Sequence, residues 1–229
     1  MAKERTKEPQ YQKILIMKKK KGLAAMGSVA SLVWRDDPKH LLFMMARYKF
    51  VAKMLSGKKR VLEVGCGDAF CSRIVAQEVG RLCAVDFDPV FVEDARARME
   101  KEWAFDCAVH DILTCPVKGS FDAAYSLDVL EHISRSKEKK FIANINASLT
   151  PQGVLIIGTP SRESQRYASA RSRKGHVNCM DHARLKALLS RYFYNVFIFS
   201  MNDEVIHTGF YPMAHYLFAL CAGKKASRR

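Results

Sequence analysis

Between Arg60 and Pro160 short apolar runs alternate with segments of helical spacing, and that alternation restricts the fold more than any other feature of the chain. "RVLEV", "RLCAVDF", "FDCAVHDI", "FDAAYSLDV" and "GVLIIGTP" read as strands. "FCSRIVAQEV", "PVFVEDARARMEKE" and the stretch from Lys137 to Leu149 read as helices between them, with Pro89 at a favoured first-turn position. Such an order predicts an α/β fold whose mostly parallel sheet carries helices on both faces. After residue 180 the pattern changes. "DHARLKALLSRYF" reads as a helix capped by Asp181, and "NVFIFSM" and "AHYLFALCA" read as closing strands whose link, "NDEVIHTGFYP", is short enough for an antiparallel pair.

Ahead of this region, Leu41, Met44, Met45, Tyr48, Val51 and Leu55 recur at helical spacing, which predicts a helix from His40 to Leu55. It reads as packed behind the sheet, or as a lid or membrane-surface helix. Residues 1–25 read as a basic arm of little order that can hold a short helix, and residues 26–229 as the folded domain. Positive charge is concentrated at the two flanks: residues 1–60 hold 16 Lys and Arg against 4 Asp and Glu, residues 61–160 hold 10 against 15, and residues 161–229 hold 12 against 4. The three segments contribute +12, −5 and +8, the net +15 of the chain. Basic flanks around an acidic centre suit a cation-bearing ligand in the middle and an anionic surface, membrane or nucleic acid, at the sides, or simply a solvated basic surface. The 7 cysteines show no C-x-x-C pair, which fits a reducing compartment, and the cytoplasm, with or without peripheral membrane contact, is the expected location. "ILIM" is too short an apolar stretch for a signal peptide, and no apolar run approaches the ~20 residues of a membrane span.

The stretch "RVLEVGCGDAF" supplies the chemistry. Gly65 and Gly67 make a strand-to-helix turn that a ligand can approach closely. A dinucleotide fingerprint would place a third glycine at position 70, which is Phe, and a phosphate loop would end in Gly-Lys-Ser/Thr, which is absent. What is left is acid-x-Gly-x-Gly with Glu63 leading. A carboxylate there repels a pyrophosphate and suits a ligand with positive charge.

"VLEVGCGDA", "AVDFDP", "VHDI" and "FDAAYSLDVLEHI", in that order, resemble the motifs of class I S-adenosylmethionine (SAM) methyltransferases, although Ala69 stands where a third glycine is frequent. The resemblance runs from Arg60 to about Pro160. It implies a Rossmann-like sheet of seven strands, the last antiparallel, with SAM as cofactor. It also implies that Glu63, Gly65, Cys66 and Gly67 form the cofactor turn, that Asp86 bonds the ribose with Phe87 beside it, that Asp111 and Ile112 lie at the adenine, and that Leu127 lines the methyl-transfer face.

"DVLEHI" is similar to a segment of the ubiquinone-biosynthesis O-methyltransferases, which implies a divalent ion such as Mg2+ held by Asp128, Glu131 and His132. "GHVNCMDHARLKALL" is similar to a run in the same family, and residues from about 161 to 181 match the place of its substrate cover. Bases for a hydroxyl acceptor are sought among His132, His176, Asp181 and His182, with His176 on the acceptor side and His132 orienting the loop or linked to the metal. The expected activity is methyl transfer to a hydroxyl of a small molecule such as a quinone precursor or sugar. Two alternatives stand beside it: an RNA or other nucleic-acid methyltransferase that uses the basic flanks, and a SAM-binding protein without catalysis.

Overall fold

Along the central strands, neighbouring apolar residues point to opposite faces of the sheet, and two sets of helices cover them. The computed structural model describes residues 5–226; residues 1–4 of the expected arm lie outside that range. In chain order the elements are α1 (Gln12–Lys21), α2 (Ser28–Asp36), α3 (Pro38–Met54), β1 (Arg60–Val64), α4 (Ser72–Ala76), β2 (Arg81–Asp86), α5 (Pro89–Arg98), β3 (Asp106–Val109), β4 (Phe121–Leu127), α6 (Glu138–Ser148), β5 (Leu149–Pro160), α7 (Ala170–Gly175), α8 (His182–Leu189), β6 (Phe193–Asn202), β7 (Val205–His207) and β8 (Tyr216–Lys224).

The strands form one sheet in the order β3-β2-β1-β4-β5-β8-β6-β7. From β3 to β5 neighbours are parallel, while β8 runs antiparallel to both β5 and β6. The architecture is the expected one with one strand more than the expected seven. The addition is β7, a three-residue edge strand that pairs antiparallel with the end of β6. Its signal lay in the closing link: after Asn202, Asp203 takes φ +50 and turns the chain back within two residues.

Leu62, Val64, Ala124, Leu155 and Ile157 pack with Phe141, Ile142 and Ile145 of α6 and with Leu185, Leu188 and Leu189 of α8. Val61, Ala123, Tyr125 and Ile156, the alternate residues, pack on the other face with Tyr48, Val51 and Ala52 of α3 and Val75 of α4. The helix expected from His40 to Leu55 therefore packs behind the sheet. It begins slightly earlier, where Asp37 caps it by accepting the Lys39 N–H and Pro38 opens its first turn. The helix expected in "FCSRIVAQEV" shrinks to the five residues of α4, because the turn before it consumes the first residues.

Phe141 is fully buried between α6 and the sheet. Truncation to Ala in such a site costs about 3–5 kcal/mol. Urea unfolding of Phe141→Ala should show that loss, with the midpoint lowered and the slope unchanged.

Candidate functional site

After Val64 the chain must turn sharply to enter α4. Gly65 (φ +79) and Gly67 (φ +52) both lie in the left-handed region, and Ala69 (φ +52) occupies it despite its Cβ. The two glycines serve different ends. A Cβ at Gly65 would stand 2.2 Å from Val129 Cγ2, whereas at Gly67 it would meet nothing within 4 Å. Gly65 is packed and Gly67 faces open space. The turn is tied to β2: the Gly65 and Cys66 N–H groups donate to the Val85 carbonyl at 2.8 and 3.1 Å, and the Gly67 N–H donates to Asp86 Oδ2 at 2.9 Å. Asp86 Oδ1 accepts the Asp88 N–H at 3.0 Å.

Phe87 follows, 71% exposed. Register places Val109 opposite Asp86, so Asp111 stands two residues beyond the same edge, exposed, its Oδ1 accepting the Leu113 N–H at 2.8 Å. Gly65, Cys66, Gly67, Asp86, Phe87 and Asp111 thus gather where β1, β2 and β3 end.

Three further residues expected at the cofactor have buried side chains. Ile112 and Leu127 are core residues. Glu63 is 1% exposed and lies beneath the turn, on the face covered by α3, where the Tyr48 hydroxyl donates to its Oε1 at 2.9 Å. Strand alternation decides this: Glu63 shares the face of Val61. Burial pushes its carboxyl up to about 7, against the neighbouring hydroxyls of Ser72, Tyr125 and Tyr48 that hold it down.

A cavity of about 810 Å³ opens past the end of β4, with Arg47, Asp128, Glu131, His132, His176 and His215 among its lining residues, and Val129, next to Asp128, packs on Gly65 of the turn. A neighbouring compartment of about 650 Å³ shares His132 and His176 and adds Leu32 and Val33 of α2. His132, just after β4, and His176, in the segment expected to cover the substrate, meet edge to face with ring centroids 5.2 Å apart. His132 Nδ1 lies 2.9 Å from the Gly175 carbonyl, and His176 Nδ1 lies 2.8 Å from Gln165 Oε1. Both partners are acceptors, so each Nδ1 carries a proton, and a neutral ring held this way presents its lone pair at Nε2. Burial, then the nearby His132, holds His176 below the ordinary histidine range and keeps it neutral at pH 7. The cover is anchored beneath the pair, where the Glu131 carbonyl accepts the Val177 and Asn178 N–H groups at 2.8 and 2.9 Å.

Asp128, Glu131 and His132 do not converge as one donor set. Asp128 (φ +56) turns to Arg47 of α3, whose Nη1 donates to both carboxylate oxygens at 2.8 and 2.9 Å. The donor atoms that do converge are those of Glu131, His132 and His176, all within 4.8 Å of one another. Glu131 is 1% exposed and accepts from the Thr159 hydroxyl at 3.2 Å; burial, then the charge of Asp128, pushes its carboxyl up to about 8. Two imidazoles and one carboxylate suit a borderline-soft divalent ion better than Mg2+, which prefers oxygen ligands and water. Asp181 and His182 lie outside the cavity. Asp181 caps α8 and pairs with Arg162, and the His182 ring stacks on Tyr211 at 4.4 Å.

Several working residues were not singled out from the sequence. Arg47 falls three residues after Met44 and four before Val51, on the apolar stripe itself, and a charge in that position is the signal of a buried partner. Asp68 has no such signal. Its Oδ2 accepts the Ala30 N–H at 2.9 Å and its carbonyl accepts from Arg98, while Asp94 accepts the Ser28 N–H at 2.9 Å. Together they fasten the start of α2 to the glycine turn. Gly27 permits the approach, since a Cβ there would stand 2.1 Å from Asp68 Oδ2.

A sheet in this order, with a glycine turn after β1 and an acid closing β2, defines a class I methyltransferase fold. The comparisons agree. The family model described as a methyltransferase domain matches residues 61–153. The ubiquinone biosynthesis O-methyltransferase of Xanthomonas campestris pv. campestris is 28% identical over 155 residues, 65% of this chain and 64% of the relative. That of Coxiella burnetii is 27% identical over 156 residues, 65% of each. The chain thus matches just under two thirds of these relatives' length. Among solved structures, the N-methyltransferase NodS of Bradyrhizobium japonicum with S-adenosyl-L-homocysteine superposes with TM-score 0.62 at 21% identity, over 83% of this chain and 91% of that one. The methyltransferase domain of bacterial CtHen1-C gives 0.64 at 17%, over 79% and 98%. Residues 61–153 thus match the methyltransferase-domain model, and the sheet as a whole shares the fold of these methyltransferase structures.

Glu63 sets a pH dependence. Its folded value, about 7, lies above the ordinary 4.5, so the stability linked to its protonated form is present below about pH 4.5 and is lost as pH rises through about 7. Denaturant midpoints measured across that window should fall less for Glu63→Gln than for the unsubstituted protein.

Proposed function

We propose that the protein transfers the methyl group of SAM to a hydroxyl of a small molecule. The observation that carries this reading is the meeting of His132 and His176 across the cavity beside the glycine turn. The names of the ubiquinone-biosynthesis relatives support it. Gly65 and Gly67 let SAM lie against the backbone, Asp86 accepts from its ribose hydroxyls, Asp111 accepts from the adenine amino group, and Phe87 offers an apolar surface beside the base.

Methyl transfer is an in-line displacement. The acceptor oxygen forms a bond to the methyl carbon as the bond to sulfur breaks, and the sulfonium leaves as the neutral thioether of S-adenosylhomocysteine. The acceptor hydroxyl must lose its proton. His176 is the receiving base: its Nδ1–H is committed to Gln165, its Nε2 is free, and its lowered pKa leaves it neutral. Arg47 fixes Asp128, and the Glu131 backbone holds the cover that carries His176.

The convergence of Glu131, His132 and His176 favours a second role for the same residues. They would hold a divalent ion of the imidazole-preferring kind, which would polarise the acceptor oxygen.

Mass-shift screening of hydroxylated metabolites with methyl-labelled SAM tests the reaction. With an acceptor in hand, His176→Gln should lower turnover about 10²- to 10⁴-fold with SAM affinity unchanged. Turnover that survives a chelator assigns His176 to proton transfer, and turnover lost to chelation and restored by Zn2+ or Mn2+ assigns it to the metal. An acceptor methylated at nitrogen or carbon, or one in RNA, would overturn the reading.

Asp86→Ala should weaken SAM binding by roughly 2 kcal/mol, as for a hydrogen bond to a charged group. Calorimetry on the folded variant checks it.

A further inference from the structure

We propose that α1 is a docking element for an anionic lipid bilayer. Its apolar and charged residues are segregated along the helix axis rather than around it. Ile14, Ile16 and Met17 in its first part are 54, 60 and 47% exposed, Tyr11 just before it is 51% exposed, and Leu23 just after it is 75% exposed. Its last turn is Lys18, Lys19, Lys20 and Lys21, and no residue of the helix is buried. From Pro9 to Arg35 the chain has no Asp or Glu. Lys21 Nζ pairs with Glu102 at 2.8 Å, whereas Lys13, Lys18, Lys19 and Lys20 form no ion pair among the described residues. The Lys21 contact sets the helix end beside Trp103, which is 40% exposed.

Aliphatic side chains displayed in water beside a lysine cluster call for a partner that accepts both. At a bilayer interface the apolar side chains enter the acyl boundary while the lysine stems snorkel their ammonium groups to anionic headgroups. Trp103 suits the same depth, since indole rings favour the interface. A nucleic acid accounts for the lysines and for the rings of Tyr11 and Trp103, on which a base can stack, but it leaves Ile14, Ile16 and Met17 in water. A second copy of the chain would set two lysine clusters against each other in a molecule whose net charge is already +15. At ten residues, about 15 Å, α1 cannot span a bilayer, and the attachment is peripheral.

The test is sedimentation of the full chain with vesicles of phosphatidylcholine, with and without phosphatidylglycerol, at low and high salt. We expect retention on the phosphatidylglycerol vesicles that falls with salt, and little on phosphatidylcholine alone. The triple change Lys18→Gln, Lys19→Gln, Lys20→Gln should lower the partition coefficient about 10²-fold, since each lysine contributes about 1 kcal/mol near an anionic surface. The triple change Ile14→Ser, Ile16→Ser, Met17→Ser should lower it at least tenfold with every lysine in place. These side chains are exposed, so thermal unfolding followed by circular dichroism should be unchanged in both variants. Retention that ignores phosphatidylglycerol, or that survives either triple change, overturns the proposal. So does retention on single-stranded RNA but not on vesicles, lost with the lysines and kept without the aliphatic residues.

Discussion

Everything in the site depends on the point at which the sheet changes direction. β1 and β4 lie side by side, yet the order of strands runs backwards from β1 to β3 and forwards from β4 to β5. The chain leaving β1 enters α4 on one face, and the chain leaving β4 goes on to α6 on the other. Two backbones that part in this way leave a crevice beyond the strand ends, and no side chain of the core can fill it. The glycine turn borders one side of that crevice and Asp128 to His132 the other. The ligand-facing residues are therefore placed by topology before any of them makes a contact.

The walls of the crevice are then set by charge. Arg47 reaches from α3 to Asp128, and its guanidinium lies 4.0 Å from the centre of the Tyr216 ring on β8. One cation thus ties a helix, the end of β4 and the antiparallel strand into a common wall. Asp128 adopts a left-handed backbone that a non-glycine residue takes only when its surroundings hold it there. The paired guanidinium is part of that restraint. Opposite, the cover is fixed by backbone hydrogen bonds to Glu131 and by Asn178, which donates to Glu138 at 3.0 Å. His176 is consequently held from both sides: Val177 and Asn178 after it are bonded to Glu131, and its own N–H donates to the Ser172 carbonyl of α7 at 2.9 Å.

The parallel core was legible because strand alternation and helical spacing are local properties, and so was the turn, since Gly65, Gly67 and Asp86 stand at short separations in sequence. The resemblance singled out His132 and His176 separately, and the meeting of their rings was not legible, because 44 positions separate them. Glu63 shows the reverse case. Its motif suggested a ligand contact, while the two-residue period of β1 turns it inward toward Tyr48. Asp68 was illegible, since its partners Ala30 and Phe70 use main-chain N–H groups that every residue but proline possesses. β7 escaped notice because three residues are too few to show a period.

The position of Asp68 has a consequence for how two ligands would affect each other. Its carboxylate accepts the N–H of Phe70, within the loop that leads from the glycine turn, and the N–H of Ala30, the third residue of α2. The next residues of α2, Leu32 and Val33, line the second compartment. Because one carboxylate holds both, a ligand that displaced the loop would strain or break the bond to α2, and this is the contact through which the two chambers would be linked. Such linkage is reciprocal by thermodynamic necessity: whatever the first occupant does to the affinity for the second, the second does equally to the first.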